Sequence, residues 1–149
     1  MPKFSFAMQP VLNYRAQVEK CRKGEYAQAI MKLEEEKEKL FEIESIKKNY
    51  MIQMTKNSAD GATVSALRQV SVFIKHMAYK KEEQEQNVQL AISISEAKRN
   101  ELVEAMKNRK IMEKLKECKY NEYLFCEMKA EQMINDQTVS FKHTLKSGG

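Results

Sequence analysis

Residues 55–66 read "TKNSADGATVSA", a stretch in which small, turn-forming residues cluster; nowhere else does this happen between Pro10 and the closing Ser-Gly-Gly. On both sides the chain is a dense mixture of Glu, Lys, Gln, Leu, Ile and Met. Asn, Ser, Asp and Gly favour chain reversal, because they tolerate left-handed backbone or bond their own main chain. A single break in an otherwise uninterrupted chain divides it into two segments. The periodicity of each segment decides the fold.

Upstream, apolar residues recur at Phe4, Ala7, Val11, Tyr14, Val18 and Cys21. This alternation of three and four is the signature of a coiled-coil seam. Its phase slips by about one residue beside Gly24 and resumes at Tyr26, Ala29, Leu33, Leu40, Ile43, Tyr50 and Met54. Glu36 and Lys47 fall in the remaining seam slots, and polar seam residues weaken pairing while fixing its register. Pro10 suits a first helical turn, where its missing N–H is no loss. The pattern predicts helix one over about 9–56 and a turn over about 57–62.

Thr63 or Ser65 is placed to cap a second helix. Its seam reads Leu67, Val70, Ile74, Met77, the polar Lys81 and Gln84, then Val88, Ala91, Leu102, Ala105, Met112, Tyr123, Cys126, Ala130 and Met133. With no Gly or Pro from 62 to 147, one helix over about 63–138 is expected, roughly 110 Å at 1.5 Å per residue. Periodicity fades beyond Asp136, and 139–149 reads as a frayed tail.

Two long amphipathic helices joined by about six residues fold back antiparallel, each burying its stripe against the other. The expected fold is all-α: a long antiparallel two-helix coiled coil, one domain over 1–149, with helix two overhanging. For a turn centred near residue 60, facing positions sum to about 120, so Tyr50 faces Val70 and Leu12 faces Asn108. Helix one ends there and helix two continues alone for roughly 25 residues.

Composition agrees. The 149 residues include 26 Lys and Arg, 21 Asp and Glu, no Trp, four Gly and two Pro, and 42% are hydrophobic. That apolar fraction is too high and too periodic for disorder, and so few turn formers do not build a compact multi-turn domain. Cys21, Cys118 and Cys126 form no metal-ligand or paired pattern and read as reduced thiols filling seam positions. No uncharged run reaches the roughly 20 residues that span a bilayer, and the N-terminus lacks the marks of a signal peptide. A cytoplasmic protein is expected.

No catalytic constellation is present: no phosphate-binding glycine loop, no HExxH, no GxSxG. His76 and His143 have no Cys or Ser companion, and His76 reads as a solvated surface residue. A two-helix coil has no deep pocket in which to shift a pKa. Neither enzyme activity nor a cofactor or metal site is expected. The ten methionines read as gap-filling core, with a Met-lined binding face as the alternative.

Three segments stand out as surfaces. The segment 98–119, "KRNELVEAMKNRKIMEKLKECK", carries Arg99, Lys107, Arg109, Lys110 and Lys114 among eight cations and four Glu. It reads either as a solvated helix face or as a partner-binding patch. Stacking aromatics are not interleaved with it, which disfavours nucleic acid. Beyond it, Tyr120, Tyr123, Leu124, Phe125, Met128 and Met133 lie on a helix that has run out of partner; another protein or weak self-association would bury them. Near the turn, Phe73, Met77, Lys80 and Gln84 approach Ile43, Ile46 and Tyr50, and form either a wide core or an outward face.

In this order of elements the chain resembles the FliJ family, the coiled-coil component of the bacterial flagellar type III export apparatus. The resemblance rests on "FSFAMQPVLNYR", the Tyr50 region, "GATVSALRQVSVFIKHM", "KNRKIMEKLKE" and "EMKAEQMINDQ". It implies a non-enzymatic protein similar to the central stalk of rotary F-type ATPases, peripherally associated with the membrane export apparatus. Its implied partners are the hexameric export ATPase, the cytoplasmic part of the membrane export gate and export chaperones. The gate-contacting face it implies is Ile43, Ile46, Tyr50, Phe73, Met77, Lys80 and Gln84, with Lys39 on the same track. The ring-binding end would include the N-terminus and the basic segment with Arg99, Lys107, Arg109, Lys110 and Lys114.

Overall fold

Gly61 is the pivot of the chain. Its φ of +82° lies in the left-handed region, where a Cβ would be strained. It follows helix α1, Gln9–Ala59, and precedes helix α2, Val64–Ser147. The Ala62 N–H reaches back to the Asn57 carbonyl at 2.9 Å, so a Schellman-type turn satisfies the end of α1. The Thr63 hydroxyl accepts from the Ala66 N–H, three residues on, at 3.2 Å and caps α2. Of the two candidate caps, Thr63 is the one used.

The computed structural model describes residues 3–148; Met1, Pro2 and Gly149 lie outside the described residues. Pro10 occupies the first turn of α1. The helices pair as an antiparallel hairpin, and contacts gather in two compact units: Lys20–Val103, which contains the turn, and Met1–Glu19 with Glu104–Gly149, which contains both chain ends.

In the turn-containing unit, Leu33, Val88 and Ala91 form the core, flanked by Leu40 and Ile92. Leu33 against Val88 and Glu36 against Gln84 place facing residues at sums near 120, the register expected for this turn. In the unit carrying the chain ends, Phe6, Leu12 and Met112 form a second cluster with Phe4 and Val11. Among the described residues no large side chain is less than 2% exposed. The core of a two-helix coil is one seam wide and everywhere touches its rim.

The seam departs from the sequence pattern in one respect. On α1 a regular run of shielded positions is Leu12, Arg15, Glu19, Arg22, Tyr26, Ala29, Leu33, Glu36, Leu40, Ile43, Lys47, Tyr50 and Met54, with Val11, Val18, Glu25, Ile30 and Ser45 half-buried on its flanks. This is one heptad repeat with no slip beside Gly24. Tyr14 and Cys21 point outward, and all three cysteines are exposed rather than in the seam. Charged residues take the slots instead, because long side chains can bury their stems and pair their heads across the seam. Arg22 bonds Glu25 and Glu101, each at 3.1 Å, and Lys98 lies 3.6 Å from Glu25. Hydrogen bonding from Arg22 holds the Glu25 carboxyl below its ordinary pKa.

The ends of α2 differ from expectation too. Residues 3–8 are not helical but lie along α2 in the same unit. The Phe4 ring meets Tyr120 at 5.2 Å and Tyr123 at 5.6 Å. Tyr120 and Tyr123 are therefore partly covered, and the unpaired stretch begins at Leu124. The helix then runs to Ser147, through the segment 139–147 read as frayed; the last residue of that tail, Gly149, is outside the described residues. The Thr138 and Thr144 hydroxyls bond the carbonyls four residues back, each at 2.9 Å, and nothing in this stretch breaks the helix.

Candidate functional site

The face expected near the turn lies wholly within the unit Lys20–Val103. Its centre is an aromatic pair: the Tyr50 and Phe73 rings sit 4.2 Å apart, tilted by 41° and half-buried. Heptad spacing puts Tyr50 in the seam and Phe73 on its flank beside Ile74, which resolves how two adjacent apolar residues both reach the core. Ile43 is half-buried, Ile46 is 41% exposed, and Lys80 and Lys39 are exposed. Lys39 stands 3.6 Å from Glu36.

Two members of the expected face are corrected. Met77 and Gln84 are buried, at 6% and 7% exposure. The Gln84 amide donates to the Glu36 carbonyl at 2.9 Å and to its carboxylate at 2.5 Å. Lys32 approaches the same carboxylate at 3.0 Å. The Gln84 hydrogen bond, aided by Lys32, keeps the Glu36 carboxyl below its usual range. A partner could reach Met77 or Gln84 only by parting the helices, so their place is structural. The surface left at this face is Ile46 and Lys80, with the rims of Ile43, Tyr50 and Phe73.

The basic segment divides between the units. Arg99 belongs to the turn-containing unit, whereas Lys107, Arg109, Lys110 and Lys114 belong to the unit with the chain ends. Arg109 is corrected from surface cation to seam residue. Its side chain is 23% exposed, bonds Glu19 across the seam and Glu113 along the helix, and its guanidinium pKa is raised, by Glu113 first and Glu19 second. Lys107 lies 3.6 Å from Glu104 and Lys114 lies 3.5 Å from Glu117, as exposed pairs that solvent weakens. Among the described residues Lys110 and Arg99 enter no ion pair and are exposed.

Beside this segment, residues 3–8 and the α2 residues Leu115, Lys119 and Tyr123 enclose a groove of about 460 Å³. Burial against these neighbours raises the Tyr123 phenol pKa. The groove is largely apolar, with Lys3 and Lys119 at its edge. It was not read from the sequence, because Phe4 and Ala7 share the three–four spacing of the residues that follow, although residues 3–8 are not helical. The heptad itself was the missed signal for Arg109: counting forward in sevens from Val88 through Leu102 reaches it.

With both surfaces described, the chain can be placed among known proteins. A family described as flagellar FliJ protein matches residues 4–147. The chain belongs to this family. Membership makes it a coiled-coil protein associated with type III export. Among solved structures, the fold is similar to that of a protein from Chlamydia trachomatis reported as a YscO homolog. The TM-score is 0.63 at 25% identity, with 99% of each chain covered. No curated protein sequence matches the chain. Among the described residues no helix is long and apolar enough to cross a membrane.

Proposed function

We propose that this FliJ-family chain is a non-catalytic adaptor that links the hexameric flagellar export ATPase to the cytoplasmic part of the export gate. The unit carrying both chain ends engages the ATPase ring, as the central stalk of a rotary ATPase engages its own. Exposed Lys107, Lys110 and Lys114 supply the charge there, and Arg109 holds the seam beneath them. The turn-containing unit engages the gate through Ile46, Lys80 and the rims of Ile43, Tyr50 and Phe73. Export chaperones are further partners, and the protein works in the cytoplasm at the membrane export apparatus.

The observation that supports this reading is the family match over 4–147; the aromatic pair near the turn and the exposed lysines of α2 are the surfaces to which the proposal assigns the two contacts. The test adds the purified chain to a flagellar export ATPase and measures hydrolysis and hexamer formation. Both should rise, and Lys110→Glu with Lys114→Glu should weaken the effect in a salt-sensitive way. Unchanged hydrolysis and assembly, with no capture of the ATPase, would remove the proposal.

A second reading, a self-associating structural coiled coil, is favoured by the exposed Leu124, Phe125, Met128, Ile134, Phe141 and Leu145. Sedimentation velocity over a wide concentration range decides it; a persistent monomer excludes it.

A further inference from the structure

The net charge of this chain is concentrated near the turn. Residues 45–80 hold six cations, Lys47, Lys48, Lys56, Arg68, Lys75 and Lys80, against one acid, Asp60. That net of +5 equals the net charge of the entire chain, since the other residues carry 20 cations and 20 acids. The segregation is also one of pairing. Among the described residues none of these six cations enters an ion pair, whereas ten of the other cations do, from Arg22 to Lys119. Five of the six are exposed and Lys47 is half-buried.

Apolar side chains stand exposed among them. On α2, Val64, Arg68, Val72, Lys75 and Tyr79 recur at spacings of four, four, three and four, which lines them along one face. Val64, Val72 and Tyr79 are 73%, 62% and 68% exposed. On α1, Lys48, Met51, Ile52, Thr55, Lys56 and Ala59 line one open groove. Acidic side chains are missing from both sets.

We propose that this turn-proximal surface docks on the face of an anionic lipid bilayer. Its chemistry favours a diffuse anionic layer over a shaped protein site. Five of the six cations are lysines, flexible point charges, and none is held in place by a carboxylate. Recognition of a protein carboxylate favours pre-oriented arginine forks, and here there is one Arg, unpaired. Exposed Val64, Met51, Ile52 and Val72 add little against a polyanionic backbone in water. At a headgroup boundary they enter the acyl edge while neighbouring lysines keep their charge among the phosphates. The surface lies on the lipid and does not span it, and it is separate from any ring contact, so its failure would leave ATPase stimulation untouched.

The test is co-sedimentation of the full chain with vesicles of phosphatidylcholine containing about a third phosphatidylglycerol, compared with phosphatidylcholine alone. Binding should need the anionic lipid and fade as salt rises. Combined Lys48→Gln, Lys56→Gln, Arg68→Gln and Lys75→Gln should cut it by about six hundredfold, at roughly fivefold per charge. Lys129→Gln, Lys142→Gln and Lys146→Gln together should leave it unchanged. The chain has no Trp, so Val64→Trp gives a background-free probe whose emission should shift to the blue on anionic vesicles. Absence of sedimentation at low salt, equal binding to neutral vesicles, or full binding by the four-site variant would overturn the proposal. So would an unshifted Trp spectrum, or capture by polyglutamate without capture by vesicles, which would assign the surface to an acidic protein segment.

Discussion

Replacing Tyr50 and Phe73 by alanine, singly and together, separates packing from partner contact at the face near the turn. The two rings are 4.2 Å apart and half-buried. A fully buried aromatic truncated to alanine costs about 3–5 kcal/mol, so each half-buried ring should cost about 1.5–2.5 kcal/mol. If the losses were independent, the double variant would lose about 3–5 kcal/mol by the same measure. Because each ring is part of the other's environment, the double variant should lose less than the sum, by about 0.5–1.5 kcal/mol. The assay is urea unfolding followed by helical circular dichroism for the parent and all three variants. A coupling under about 0.3 kcal/mol is within ordinary additivity and would refute the packed pair. Ile46→Ala and Lys80→Ala should shift stability by no more than about 0.5 kcal/mol, since both side chains face solvent. If those two unfold the hairpin, the division of this face into seam and surface is wrong.

Other outcomes follow from the same structure. Leu33→Ala should cost about 2–3 kcal/mol, the low end for a core leucine because water borders the seam, while Met31→Ala, at 65% exposure, should cost under about 0.5 kcal/mol by urea unfolding. Equal losses would contradict the register. Gly24→Ala should stabilise by about 0.5–1 kcal/mol, since a Cβ there meets nothing within 4 Å inside a helix, whereas Gly61→Ala should destabilise by about 1–2 kcal/mol at its φ of +82°. Thermal melts that rank these two the other way would show the turn is misassigned. The lowered carboxyl pKa values of Glu36 and Glu25 mean that the unfolded chain binds their protons first. Their stabilisation is complete above the ordinary carboxylate range, about pH 4.3, and is lost as pH falls through the lower folded values. The melting temperature should be level above about pH 5 and fall with acid, less steeply in Gln84→Leu, whose Glu36 loses its amide donor. A melting temperature unchanged down to pH 2 would contradict this.

The candidate surfaces were legible to different degrees. Tyr50 and Phe73 could be brought together from sequence, because a turn at residue 60 and antiparallel pairing leave little choice of neighbour. Which members of that face point outward could not be read from residue type. Met77 and Gln84 differ in polarity yet are equally buried, because position in the heptad, not hydropathy, sets exposure. Arg109 misled for the same reason: a cation inside a basic run looks solvated until its seam slot and Glu19 are seen. The basic, unpaired character of 45–80 is present in the sequence as a charge count, but the lack of ion pairs depends on which side chains the fold sets within reach.

By itself the sequence determined two helices, the position of the reversal and the pairing register. One cluster of turn formers, a glycine able to take positive φ, a threonine cap and heptads with Leu33, Leu40, Val88 and Ala91 at their centre admit one local solution. Tertiary structure decided what occupies the weaker end of the seam. Between Leu12 and Tyr26 the apolar residues Tyr14 and Cys21 compete with Arg15, Glu19 and Arg22 for the same side of α1. The charged set wins because the heptad is anchored by the strong apolar stretch that follows, and a helix cannot rotate locally without breaking its own hydrogen bonds. Glu101, Lys98 and Arg109 then supply partners that make the charged seam tenable. The fold of residues 3–8 onto α2 was likewise decided only in three dimensions: the spacing of Phe4 and Ala7 suggested a seam, but the segment is not helical, and Phe4 settles on Tyr120 and Tyr123 while Phe6 packs with Leu12 and Met112.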